Sequence, residues 1–233
     1  YIIYEYIRGY QPNIKKSMNI FDQCKKIFID FDGVVVDSNK FKEKAIQNSI
    51  FALVGKNQNS IDAINYFNIN AGISRRKKLS LFFSESEVLE IMKIYASECN
   101  KFFKITSPTI GFNTFLEFIR NKNCLIKIYI LSGGEKDEIK YFLEKNNLIQ
   151  FFEAILGSEK SKSKHLEDKQ ATENDIFIGD SKNDLKASSK SGLKFILFEQ
   201  YKSLKSFPSQ ELINNNVYIR TKNFQTLINN FLL

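Results

Sequence analysis

The feature that most constrains this chain is an apolar run that stops abruptly at a pair of acids. Lys25-Lys26-Ile27-Phe28-Ile29 is followed at once by Asp30-Phe31-Asp32-Gly33. A short run of β-branched and aromatic residues without alternation reads as a strand buried on both faces, which belongs in a parallel sheet covered by helices. In open α/β sheets, ligands bind beyond the carboxyl ends of the strands. Two carboxylates placed there are costly to bury unless a cation or a proton compensates them. Gly33 lets the chain turn and lets backbone N–H groups approach an anion. Taken alone, the stretch fits a strand-end turn with solvated acids equally well.

Other segments have the same look: Leu125–Leu131, Ala154–Leu156, Ile176–Ile178 and Lys194–Phe198, with Val217–Ile219 as a candidate sixth strand. Apolar helical faces lie between them, such as Phe115, Phe118 and Ile119, then Ile139, Phe142 and Leu143. Alternating strands and helices imply a doubly wound parallel sheet. The pattern changes between Ser38 and Ser107, where no strand is evident. Phe41, Ala45, Ile46 and Phe51 suggest one helix, and Ile61, Ile64 and Phe67 a second. Ser84 and Glu87 form a capping-box pattern that opens a run with Val88, Ile91, Met92 and Tyr95 at helical spacing. An all-helical insert over residues 39–107 therefore interrupts an α/β domain formed by 25–38 and 108–233. Residues 1–24 read as an N-terminal extension without the pattern of a signal peptide.

Composition narrows the chemistry. There is one histidine, His165, and three widely spaced cysteines, Cys24, Cys99 and Cys124. These disfavour a His-based triad, a structural zinc site and a disulfide scaffold, and they fit a reducing, cytoplasmic setting. No apolar run approaches the roughly 20 residues that span a bilayer. The net charge of +8 invites a nucleic-acid reading. The basic residues are scattered in short runs rather than gathered, so neither a nucleic acid nor a membrane is the expected partner. What remains is chemistry on carboxylates, lysines, hydroxyls and a bound ion.

Three further stretches carry such groups. Gly179-Asp180-Ser181-Lys182-Asn183-Asp184 follows the strand at Ile176–Ile178 and offers two more acids. Acids at two strand ends suit Mg²⁺, which takes oxygen ligands; an Asx-rich turn into a helix is the bland alternative. Ser132-Gly133-Gly134 follows Ile128–Leu131 at a strand-to-helix junction, where it makes either an anion nest or an ordinary loop. Lys160, Lys162 and Lys164 form a basic group, of which one lysine is enough to balance a phosphoryl group and several carboxylates.

Together, DFDGVVVDS, ILSGG, GSEKSKSKHL and GDSKND resemble, in order, the four motifs of the haloacid dehalogenase superfamily. The resemblance covers residues 25 to about 200. It implies a Rossmann-like core. The insert after the first motif is similar to the C1-type cap of the phosphoglycolate phosphatase and β-phosphoglucomutase branch.

The resemblance also implies roles. Asp30 is the nucleophile that becomes an aspartyl phosphate. Asp32 is the general acid and base, with a raised pKa. Ser132 and a motif lysine, better placed at Lys162 than at Lys164, hold the phosphoryl oxygens. Mg²⁺ is ligated by Asp30, Asp32 through its main-chain carbonyl, Asp180 and Asp184. Gly33, Ser132, Gly133 and, from the cap, Arg75 contact the substrate. The second acid of the first motif argues against dehalogenation. The implied activity is a Mg²⁺-dependent phosphatase acting on a small phosphorylated metabolite such as a sugar phosphate. A phosphomutase and a catalytically inactive binding protein are the alternatives. The substrate and the oligomeric state are not legible.

Overall fold

The computed structural model describes residues 20–21, 23–70, 73–201 and 217–232. Most of the expected N-terminal extension, and Ala71 and Gly72 of the expected helical insert, lie outside these. Six strands form one sheet: β1 (Lys26–Ile29), β2 (Lys127–Leu131), β3 (Ala154–Leu156), β4 (Ile176–Gly179), β5 (Lys194–Phe198) and β6 (Ile219–Thr221). Their order is β3-β2-β1-β4-β5-β6, and every pairing is parallel.

Successive strand residues point to opposite faces, so the unbroken apolar runs fill two cores. Ile27, Ile29, Ile128, Ile130, Ile176 and Ile178 enter one cluster. Phe28, Tyr129, Leu131, Phe177, Phe195 and Leu197 enter the other. The second face is covered by Leu166 of α7 (Lys162–Asp168) and by Leu185 and Ala187 of α8 (Lys182–Ser191). The first face is covered by α5 (Phe112–Lys122), α6 (Lys136–Lys145) and α9 (Phe224–Leu232).

Between β1 and α5 stand four helices: α1 (Asn39–Val54), α2 (Gln58–Ile69), α3 (Arg75–Leu79) and α4 (Glu85–Ile105). The capping box at the start of α4 is present, with Ser84 N–H donating to Glu87 Oε2 at 2.8 Å. Phe41 of α1 stacks on Phe102 of α4 at 4.1 Å between centroids. Phe31, in the loop after β1, meets Phe103 of α4 and Phe142 of α6 edge-on at 5.7 and 5.3 Å. Burying each such ring contributes about 1.5–3 kcal/mol. This triad ties the strand-end loop, the helical segment and the sheet domain together. None of the described helices is long and apolar enough to cross a membrane.

Three expectations shift. The last strand lies two residues later than Val217–Ile219, because its register is set by backbone pairing of Ile219 with Ile196 of β5 and not by its own side chains. Arg75–Leu79 is a short helix that buries Arg75, the residue expected to face the substrate, together with Lys78 and Leu79. Ile20, Phe21 and Cys24, assigned by sequence to an appended segment, are buried in the core, with Phe21 edge-on to Phe118 at 6.3 Å.

The strand order reverses between β1 and β4, since the chain moves from β1 through β2 to β3 and then returns to the other side of β1. Such a switch point opens a crevice at the carboxyl ends of the two strands. Asp30 and Asp180 are the first residues past those ends. Asp30 N–H donates to the Ile178 carbonyl at 2.9 Å, which fixes the two ends side by side.

Candidate active site

Asp30, Asp180 and Asp184 converge at this crevice. Each is buried, and each offers a carboxylate oxygen within 4.8 Å of the others. Lys162, the first residue of α7, reaches the same point. Its ammonium lies 2.7 Å from Asp30 Oδ1 and forms a second, shorter contact with Asp184 Oδ1. Lys164 is instead exposed and pairs with Glu167 and Asp168 on its own helix, so geometry separates the two candidate lysines.

Local chemistry orients every acid. Asp30 Oδ1 also accepts the Phe31 N–H at 2.8 Å, so both of its donors sit on one oxygen. Asp184 closes a capping box on α8, with Oδ2 accepting from the Ser181 hydroxyl at 2.6 Å. Asp180 Oδ2 accepts from the Asn39 amide at 2.8 Å. Gly33 has φ +80°, and a Cβ there would stand 2.1 Å from Asp180 Oδ2. Only glycine lets the first loop pass this close to the second acid pair.

Three carboxylates here face one ammonium. Burial, and then the Asp184 charge, push Asp180 up to about 8. The same two causes raise Asp30 well above the usual carboxylate range, with Lys162 opposing. For Lys162, burial favours the neutral amine, but Asp184 and Asp30 outweigh it and its pKa is raised. With all three acids ionised the site would carry a formal excess of two negative charges, on oxygen donors at two adjoining strand ends, which fits one hard divalent cation.

Asp32 behaves differently from its expected raised pKa. Its carboxylate does not join the acid cluster. It accepts from Ser38 Oγ at 2.5 Å and pairs with Lys42 Nζ at 2.5 Å. Burial alone would raise its pKa, but Lys42 and Ser38 outweigh burial and hold it below its ordinary value. Asp32 is therefore a carboxylate in this structure, the reverse of what the sequence suggested. The cause is a lysine contributed by the first turn of α1.

Ser132 is buried at the carboxyl end of β2, where its Oγ accepts the Gly134 N–H at 3.0 Å. Gly133 and Gly134, rather than the Ser132 side chain, line the pocket there. The opposite wall comes from the helical segment and includes Asn39, Lys42, Phe67, Arg75, Lys78 and Tyr95. Arg75 does reach the pocket, but its guanidinium binds both oxygens of Glu138 on α6. His165 is buried, with Nε2 2.9 Å from the Gly157 carbonyl.

The model of the haloacid dehalogenase-like hydrolase family matches residues 27–198. The chain belongs to that family. Among curated proteins none matches it. Similar solved structures include a haloacid dehalogenase-like family hydrolase from Streptococcus pneumoniae, at 19% identity and a TM-score of 0.64 over 90% of this chain and 99% of that one. A predicted phosphoglycolate phosphatase from Haemophilus somnus aligns at 15% identity and a TM-score of 0.67, over 89% and 97%. A predicted phosphatase from Clostridium acetobutylicum aligns at 19% identity and a TM-score of 0.67, over 90% and 98%. At these identities the likeness is one of fold.

Five residues of this haloacid dehalogenase-like hydrolase escaped sequence reading: Asn39, Lys42, Lys78, Tyr95 and Glu138. A signal existed for the first two. They are three apart on the helix that leaves the first motif, so they share one face and that face begins beside Asp32. For Lys78 and Tyr95 no local signal distinguishes a pocket residue from an ordinary helical one, and none marks Glu138 as the partner of Arg75.

Proposed function

We propose that this hydrolase is a Mg²⁺-dependent phosphatase that acts on small phosphomonoesters through an aspartyl-phosphate intermediate. The observation that carries this reading is the convergence of Asp30, Lys162, Asp180 and Asp184 at one switch-point crevice. Mg²⁺ would be held by Asp30, Asp180 and Asp184, with the main-chain carbonyl of Asp32. When bound, it offsets the repulsion between an anionic nucleophile and an anionic substrate.

The chain's own groups supply the rest. Asp30 attacks phosphorus through the oxygen that carries no donor among the described residues, and the bond from phosphorus to the leaving oxygen breaks. Lys162 and the glycine-lined loop after β2 balance charge on the phosphoryl oxygens. Asp32 gives a proton to the leaving oxygen, then takes one from the water that attacks phosphorus and frees Asp30. Asp32 starts as a carboxylate held by Lys42 and Ser38. A phosphoryl dianion arriving beside it raises its proton affinity and so supplies the acid form. The helical segment, whose residues form one wall of the pocket, acts as a cap that excludes water and selects the leaving group.

The test is phosphate release from a panel of phosphorylated metabolites with Mg²⁺ and with a chelator. Mg²⁺-dependent release that Asp30→Asn abolishes is the expected result. An isomerised sugar phosphate without released phosphate would make the enzyme a mutase. No turnover of any ester would overturn both enzymatic readings.

A further inference from the structure

Lys78 is a buried lysine with no acid paired to it among the described residues. It is only 5% exposed and lines the pocket from α3. Its ammonium donates to the Phe67 carbonyl at 3.1 Å and lies 3.4 Å from the centroid of the Phe67 ring. No carboxylate pairs with it among the described residues. Its charged neighbours are Arg75 and Lys42, and each of those has its own acid, Glu138 and Asp32 respectively. Burial first, and then these two cations, pull the Lys78 ammonium down to about 7.

An unpaired ammonium removed from water is expensive unless a counter-charge reaches it. A carbonyl and a ring face soften that cost without cancelling the charge. The side of the pocket on which Lys78 stands decides where the counter-charge comes from. The acid cluster and Lys162 mark the end that takes the reacting phosphoryl group. Lys78 stands on the helical wall, which faces the rest of the substrate.

We propose that Lys78 binds a second acidic group, a carboxylate or a phosphate, on the leaving-group portion of the substrate. The inference rests on the phosphatase reading of the same pocket and deepens it: the preferred substrates are phosphomonoesters of acidic alcohols. Arg75 does not compete for this task, because both of its terminal nitrogens are held by Glu138.

Matched esters test the idea. 2-Phosphoglycerate and glycerol 2-phosphate differ by a carboxylate in place of a hydroxymethyl group. Propane-1,3-diol bisphosphate and propyl phosphate differ by a second phosphate. The wild type should prefer the acidic member of at least one pair by roughly tenfold or more in kcat/KM, as for a charge-assisted contact. The pair that shows the preference names the group. Lys78→Met should collapse that ratio towards one, and Lys78→Arg should keep most of it. A wild-type ratio near one, or a Lys78→Met variant that loses both members equally, overturns the proposal.

Calorimetric binding of the same pairs to the Asp30→Asn protein gives the ratio without turnover. If no ester is hydrolysed the phosphatase reading falls, and this binding ratio still decides the role of Lys78. Ligand-free Lys78→Met should melt no lower than the wild type, since it loses an unpaired buried charge. A clearly lower Tm would make the ammonium a structural element and overturn the proposal.

Discussion

Arg75 and Glu138 form a two-pronged ion pair, Nη1 to Oε1 at 2.7 Å and Nη2 to Oε2 at 2.9 Å, that joins the helical segment to the sheet domain. Both side chains are buried, and the guanidinium also lies 4.6 Å from the centroid of Tyr95. The sequence suggested that Arg75 contacts substrate. Its geometry makes it a brace between the two walls of the pocket. Removing one partner strands a buried charge, which costs about 3–5 kcal/mol. Glu138→Ala should therefore lower the Tm and weaken turnover of every substrate by a similar factor. A change confined to substrates with acidic leaving groups would return Arg75 to substrate recognition.

Lys162 and Lys164 are two residues apart, yet one is buried between Asp30 and Asp184 and the other is solvated. Lys162→Ala should lower kcat by about 10²–10³-fold, the range seen when a charge-stabilising donor is removed. Lys164→Ala should leave kcat within about twofold, since exposed ion pairs contribute about 0–1 kcal/mol. Steady-state rates on one phosphomonoester are enough, and comparable losses in both variants would contradict the geometry.

The proposed Mg²⁺ site in the acid cluster carries a pH dependence. Asp180 is raised to about 8, and Asp30 is raised well above its ordinary value. Without metal, both folded groups keep protons that the unfolded chain has already released above about pH 4. Their stabilising contribution is complete below that pH and is lost as pH rises through the folded-state values. A cation that displaces these protons binds better at higher pH and relieves the repulsion that grows there. The increase in Tm on adding Mg²⁺ should be larger at pH 8 than at pH 6. Equal shifts at the two pH values would show that these carboxyls do not hold the ion.

Gly33 predicts a steric effect at the same place. Its positive φ disfavours any side chain, and an added Cβ would overlap Asp180 Oδ2. Gly33→Ala should displace Asp180 and weaken Mg²⁺ binding by at least tenfold, while the two cores, built from other residues, keep their far-ultraviolet circular dichroism. Unaltered metal affinity, measured by calorimetry, would show that the loop can relax at no cost.

How much was legible depended on whether a signal was local. Five of the six strands announced themselves, because Ile29, Leu131 and Ile178 end apolar runs with no other plausible use. The capping box at Ser84 was equally plain, since both partners lie within one turn. The edge strand was placed two residues early because its register is set by β5. The pKa of Asp32 was misjudged in direction, because Lys42 reaches it only through the angle at which α1 leaves the loop.

The order of the four motifs, each at the end of an apolar run, determined the family, the parallel sheet and the identity of the acids. Unbroken apolar runs and the residues that end them are local patterns, so they are written directly in the chain. Tertiary structure alone decided other charge partners: Glu138 for Arg75, Lys42 for Asp32, and no acid among the described residues for Lys78; it also set Lys162, which the motif already favoured over Lys164, against Asp30. Coulomb energies depend on separation in space and on exclusion of water, and neither is fixed until distant helices pack against the sheet.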